Sequence, residues 1–190
     1  MAIGLVGSEM CIRDRLFTIL FYVFVYTIWL KRKTPQNIVI GGASGALPPV
    51  IGWAIATNSI SLESIAFFLI IFFWTPSHFW ALSLYKADDY KKAGIPMLPV
   101  TNGIQDTKKN ILIYSLLMIP TIVFPYYIGF VGEVFLTLSL LLTFYYNLIC
   151  FQLYNYKVGK FNIKKARHIF SYSIIYLFLI FVFFLVDKVL

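Results

Sequence analysis

Residues 64–84 read S-I-A-F-F-L-I-I-F-F-W-T-P-S-H-F-W-A-L-S-L. His78 is the one ionisable group in this run, and a helix rising about 1.5 Å per residue would carry it across the roughly 30 Å hydrocarbon core of a bilayer. A soluble helix of this length would need a polar face, and this one has none. The same reading extends outward to 38–57, 111–128, 133–154 and 169–186, each long enough to span, and to 16–30, which is too short to cross unaided. The predicted class is all-α, a polytopic transmembrane helix bundle of about six spans. Composition agrees. The 190 residues are 60% hydrophobic and 13% charged, with a mean hydropathy of +0.81. A soluble domain carries roughly 25% charged residues, so a water-soluble enzyme is excluded.

Charge gives the topology. The chain holds 16 Lys and Arg against 8 Asp and Glu, a formal charge of +8. In a soluble chain that surplus would suggest nucleic acid; here it clusters in alternate loops. Lys31, Arg32 and Lys33 form one group; Lys86, Lys91, Lys92, Lys108 and Lys109 a second; Lys157, Lys160, Lys164, Lys165 and Arg167 a third. The turns at 58–63 and 129–133 contain only Glu63 and Glu133. The positive-inside rule therefore predicts cytoplasmic basic loops, as in a multi-pass protein of a bacterial plasma membrane, with a mitochondrial inner membrane the less favoured setting. Residues 1–15 lack the pattern of a signal peptide. Their G-S-E-M-C-I-R-D-R resembles an artefactual translation product, so they read as a foreign tail ahead of a single membrane domain over 16–190. Cys11 and Cys150 are too few for a disulfide framework or a thiolate metal cage.

Several residues point to chemistry. The second stretch opens G-G-A-S-G-A-L-P-P-V-I-G-W, with Gly41 and Gly45 four apart and Pro48 and Pro49 adjacent. Close packing of small residues is one reading, and a kink beside a polar cavity is the other. An ionisable group inside a span is costly, which makes His78 a functional candidate, the alternative being a neutral imidazole bonded within the bundle. On an unbroken helix His78, Leu82, Tyr85 and Asp89 share a stripe, with Trp74 one turn before and Asp89 about 16 Å beyond His78. That separation suits a flat ligand near His78 and a polar head group near Asp89. Asp88, Asp89, Lys91 and Lys92 precede A-G-I-P-M-L-P-V, too apolar for an ordinary solvated loop. Carboxylates there can hold Mg²⁺ together with substrate phosphates, while a plain charged helix end is the simpler reading. Arg32 can grip a phosphate with two parallel hydrogen bonds, although loop charge that only sets topology accounts for it equally. His168 reads as interfacial, and Phe144, Tyr145 and Tyr146 as lipid contacts.

Three runs, Y-T-I-W-L-K-R-K-T-P-Q-N-I-V-I-G-G-A-S-G-A-L-P-P-V-I-G-W, F-F-W-T-P-S-H-F-W-A-L-S-L and D-D-Y-K-K-A-G-I-P-M-L-P-V, closely resemble the protohaem IX farnesyltransferase (haem O synthase) family of UbiA-type intramembrane prenyltransferases. The resemblance covers 16–190, including A-R-H-I-F-S-Y-S-I-I-Y-L. It implies a helical bundle of about nine spans, of which residues 16–190 would form the C-terminal two thirds, transferring farnesyl from farnesyl diphosphate to a vinyl group of haem B and releasing diphosphate. It further implies Mg²⁺ and haem B as substrate, with a haem A synthase or oxidase assembly protein as possible partner and no nucleic acid. Carried onto this sequence, Asp89 and Asp88 would hold the metal, and Lys31, Arg32 and Lys92 would neutralise the leaving group. Thr34, Asn37, Tyr85 and Lys91 would support the substrates. Trp74, Phe79 and Trp80 would face the farnesyl cation, and His78 would orient haem iron. Ser77 departs from the family's usual second proline, and Ala93 stands where a further carboxylate would complete the aspartate motif. The family's other aspartate-rich motif has no counterpart in the sequence, so the chain alone is expected to be inactive. A relative acting on a quinone precursor, and a non-enzymatic transporter or assembly subunit, are the alternatives.

Overall fold

The computed structural model describes residues 36–156 and 163–189, with 16, 19–20, 23–24, 27–28 and 34. Five helices are long and apolar enough to cross a membrane: α1 (Asn37–Thr57), α2 (Leu62–Tyr85), α5 (Gly103–Tyr127), α6 (Glu133–Tyr154) and α7 (Ile163–Val189). Two short helices, α3 (Ala87–Lys92) and α4 (Leu98–Thr101), fold the long connection. The expected stretch at 16–30 falls largely outside the described residues.

Helix α2 is the hub. It packs against α1, α5 and α7, and since α6 packs on α5 and α7, helices α2, α5, α6 and α7 close a four-membered ring. Helix α1 lies outside the ring against α2. The core runs down the ring through Ile70, Trp80, Ile111, Met118, Ile122, Phe135, Tyr146, Ile169, Tyr176 and Ile180. Polar groups also tie it. The Tyr146 hydroxyl donates across the diagonal from α6 to Ser77 Oγ on α2 at 2.9 Å, and Thr143 Oγ1 pairs with Tyr176 Oη at 2.9 Å. Tyr146 is therefore core, which corrects its reading as a lipid contact: its phenol finds a partner only inside, whereas Phe144 and Tyr145 beside it are exposed.

The two ends differ in chemistry. At one end the Asp187 carboxylate accepts from the Gly132 and Phe135 amides at 2.7 and 3.1 Å, covering orphan donors where α6 begins. Lys188 reaches the Phe130 carbonyl there. The other end holds α3, α4 and the basic starts of α5 and α7. Fully buried Lys108 donates to the Tyr156 carbonyl at 2.8 Å, just past the end of α6, where a cation also complements the helix dipole. Arg167 lies over Tyr85 and Lys165 over Tyr156.

Helices α5 and α7 start before their apolar cores, so the apolar runs at 111–128 and 169–186 underestimate their lengths. The connection from 86 to 102 is ordered for local reasons. Gly94, at φ 67°, ends α3: its amide bonds the Lys91 carbonyl at 3.2 Å and the Ile95 amide the Tyr90 carbonyl at 3.1 Å. This is a Schellman turn, which needs a left-handed residue that glycine supplies without strain. Met97, Leu98 and Pro99 are then buried, as the apolar content of this segment leads one to expect.

Candidate functional site

A cavity of about 490 Å³ lies between α1 and α2, lined by Ile38, Gly41, Gly42, Ser44, Gly45, Ile71, Trp74, Thr75 and Phe79, with Ile19 at its edge. Its volume falls within the roughly 300–1,000 Å³ of small-molecule sites. The glycines explain it. A Cβ at Gly42 would meet Thr75 Cγ2 at 3.1 Å, so this residue brings the helices together, while a Cβ at Gly45 would meet nothing within 4 Å. The close approach thus runs through Gly42, and Gly41 and Gly45 form the cavity wall. The close-packing reading of the glycine-rich stretch holds at Gly42, and a cavity does lie beside it, but the lining is mainly apolar and includes neither proline. Pro48 and Pro49 lie beyond the cavity within an α1 that continues through them.

Trp74 connects this wall to His78. The indole stacks on the imidazole at 4.3 Å between centroids, and Phe170 of α7 covers the opposite face at 4.6 Å. Trp74 Nε1 donates to the Ser173 carbonyl at 2.9 Å, and His78 Nδ1 lies 2.6 Å from Ser173 Oγ. His78 is 8% exposed. It sits on the α7 side of α2 and does not line the cavity; Trp74 stands between.

The stripe from His78 to Asp89 does not survive intact. Tyr85 packs edge-on to Phe170 at 6.0 Å and so shares the His78 face. Helix α2 then ends, because Lys86 leaves helical backbone at φ −111°, ψ 19°. Asp89 belongs to α3, where it is exposed and paired with Lys86 at 3.1 Å. The placement derived from an unbroken helix is thereby corrected. Asp88 and Asp89 occupy the first turn of α3 and Lys91 and Lys92 its last, a charge order that suits the helix dipole. Burial, with Tyr85 and Asp89 close by, raises the Tyr90 phenol above its ordinary range.

The remaining candidates separate. Phe79 reaches the cavity. Trp80 does not: it is fully buried, edge-on to Tyr114 of α5 at 5.2 Å, which corrects its place beside Trp74 and Phe79, since position 80 points into the ring. Thr34 Oγ1 accepts from the Gln36 amide at 3.2 Å and its carbonyl from the Asn37 amide at 3.3 Å, shaping the entry to α1. Asn37 is buried. Lys31 and Arg32 lie outside the described residues. No group of three or more His, Cys, Asp or Glu gathers to hold a metal among the described residues. Asp88 and Asp89 are adjacent carboxylates on α3, Asp89 being paired with Lys86, and one or two carboxylates bind Mg²⁺ only together with further ligands such as substrate phosphates.

Sequence reasoning missed Lys86 as the partner of Asp89, and Phe170 and Ser173 as partners of His78. The pair Phe170 and Ser173, three apart on one helix face, is visible in H-I-F-S-Y-S, but nothing local ties it to position 78.

Comparison with known proteins bears on this site. The sequence profile of the UbiA prenyltransferase family matches residues 2–175. The chain is 77% identical over 175 residues to the protoheme IX farnesyltransferase of Pelagibacter ubique (strain HTCC1062), covering 92% of this chain and 58% of that protein. It is 51% identical over 174 residues to the protoheme IX farnesyltransferase of Parvibaculum lavamentivorans, covering 92% and 55%. For that of Azorhizobium caulinodans the identity is 53% over 165 residues, covering 87% and 54%. The chain thus spans somewhat over half the length of these curated relatives. No solved structure matches it.

Proposed function

The chain belongs to the UbiA prenyltransferase family, and we propose that it serves the reaction for which its relatives are named, transfer of a farnesyl group from farnesyl diphosphate to a vinyl group of haem B, giving haem O. The observation that carries this reading is the α1–α2 cavity at membrane depth, walled by Trp74 and Phe79 and by glycines that leave room for an isoprenoid chain. The charged rim of α3 follows directly where α2 ends.

Ionisation of the allylic diphosphate is the demanding step. Asp89 and Asp88 would hold Mg²⁺ at this rim, and the bound ion would supply charge neutralisation to the leaving group. Lys92, together with Lys31 and Arg32, adds fixed positive charge, and losing one such group costs on the order of 2–4 kcal/mol in barrier. Lys91 and Tyr85 border the same rim, and Thr34 and Asn37 support the phosphate side. Trp74 and Phe79 offer aromatic faces to the developing cation, each worth about 0.5–2 kcal/mol when water is excluded. His78 orients the haem by its iron. The basic end of the bundle faces the cytoplasm of a bacterial plasma membrane. Haem delivery by a haem A synthase or an oxidase assembly protein fits this setting.

The test is release of diphosphate from farnesyl diphosphate, followed by mass detection of haem O, in membranes containing haem B and a full-length protein that carries this segment, since the chain alone is expected to be inactive. Expected is magnesium-dependent release that falls at least about 100-fold in Asp89→Asn. Farnesylation of a quinone precursor with haem B untouched would transfer the assignment to that acceptor class. Absence of any magnesium-dependent release would favour a non-enzymatic role.

A further inference from the structure

The hydrogens around Ser173 can be counted, and only one arrangement closes. Ser173 Oγ lies 2.6 Å from the Phe170 carbonyl oxygen and 2.6 Å from His78 Nδ1. A hydroxyl has one proton. The carbonyl has none to give, so the 2.6 Å contact between two oxygens must be bridged by the serine's own hydrogen. Were that hydrogen turned toward His78 instead, two oxygen lone pairs would face each other at hydrogen-bond distance with nothing between them. Imidazole, by contrast, can bring a hydrogen of its own. Both contacts are satisfied only when Ser173 donates to Phe170 and His78 Nδ1–H donates to Ser173.

The rest of the surroundings keep the ring in that pose. Trp74 and Phe170 hold its two faces at 4.3 and 4.6 Å. Trp74 is itself tied to the Ser173 carbonyl at 2.9 Å, so one α7 residue anchors both α2 side chains. Rotation of the imidazole about its bond to Cβ would break the hydrogen bond and open the stack together.

We propose that Ser173 is a positioning residue that fixes His78 as the Nδ1–H tautomer, which leaves the ring's free electron pair on Nε2, available to ligate the acceptor's iron. The second half of this statement rests on the haem reading above; the first does not. Histidines that ligate metals commonly donate their other ring proton in this way, which sets both the tautomer and the orientation. His168 has no such arrangement: it is exposed, with Nε2 3.4 Å from Tyr145 Oη.

The chain contains only two histidines, so uniform ¹⁵N-histidine labelling of the full chain in detergent micelles gives an assignable spectrum. Expected is a pyrrole-type nitrogen at Nδ1 of His78 and a pyridine-type nitrogen at Nε2; the reverse overturns the proposal. Ser173→Ala should collapse this preference into averaged shifts, and Ser173→Thr, which keeps the hydroxyl, should restore it. If the alanine variant is not recovered folded, Ser173→Cys, a weaker acceptor of similar shape, should move both nitrogens toward the averaged values. An unchanged spectrum in either variant removes Ser173 as the cause. A haem titration of the same protein reads the second half separately. Ser173→Ala should weaken the haem affinity read from a His78-dependent Soret shift about 10- to 100-fold. A tautomer fixed as stated with no haem-dependent shift would refute iron ligation while leaving the positioning role in place.

Discussion

Removing either partner of the diagonal bond between Tyr146 and Ser77 should have unequal consequences, although the bond lost is the same. Tyr146 Oη donates to Ser77 Oγ at 2.9 Å, and Ser77 Oγ in turn donates to the Trp74 carbonyl at 3.0 Å. Both residues are fully buried. In Tyr146→Phe the serine keeps its own donor bond and loses only an incoming one, so the cost should be about 0.6 kcal/mol, the average for hydrogen bonds between membrane helices. In Ser77→Ala the phenolic hydrogen is stranded in an apolar ring. The Cys150 thiol, which also reaches the phenol, is only a weak acceptor. A buried donor without a partner costs about 1–3 kcal/mol. The double variant, with no polar group left, should lie close to Tyr146→Phe alone. The assay is reversible unfolding by SDS titration in mixed micelles, followed by the fluorescence of the four tryptophans. Refutation would be Ser77→Ala no more destabilising than Tyr146→Phe, or additive losses in the double variant, since either would mean that no stranded donor exists.

Three further outcomes follow from the same geometry. In a full-length protein that carries this segment, Gly42→Leu should separate α1 from α2 at Thr75 and abolish turnover of farnesyl diphosphate, while Gly42→Ala, whose Cβ needs only a few tenths of an ångström from Thr75, should retain activity with a raised KM. Asp187→Ala should cost about 0.5–2 kcal/mol, measured by the same SDS titration, because two amides at the start of α6 lose their acceptor. Lys86→Ala should change stability by no more than about 1 kcal/mol, since its pair with Asp89 has side chains 53% and 64% exposed, whereas Asp89→Asn should leave stability alone and, in the full-length protein, suppress diphosphate release; unfolding by either change would refute a role confined to the rim.

The sequence by itself determined the class, the spans and the two ends. Apolar length and clustered charge are one-dimensional quantities, and they located α1, α2, α5, α6 and α7 to within a few residues of their cores. Helices α5 and α7 began earlier only because their first turns are polar and so escape an apolar count. The A-G-I-P-M-L-P-V segment was legible as more than a solvated loop because it is so apolar; that Gly94 ends α3 in the left-handed region came from the structure.

Which face of each span turns inward was decided only by tertiary structure. A helix that is apolar on every side gives periodicity nothing to distinguish a neighbour from lipid. Hence Trp74, Phe79 and Trp80, three aromatics within seven residues, were indistinguishable in sequence, yet two line a cavity and one fills the ring. Tyr145 and Tyr146 part in the same way, one to the surface and one to Ser77. The break at Lys86 moved Asp89 off the His78 stripe, because extrapolating a helical face assumes a helix that does not end. Ser173 lies 95 residues from His78, and only the packing of α7 on α2 brings a hydroxyl to an imidazole that has one proton to place.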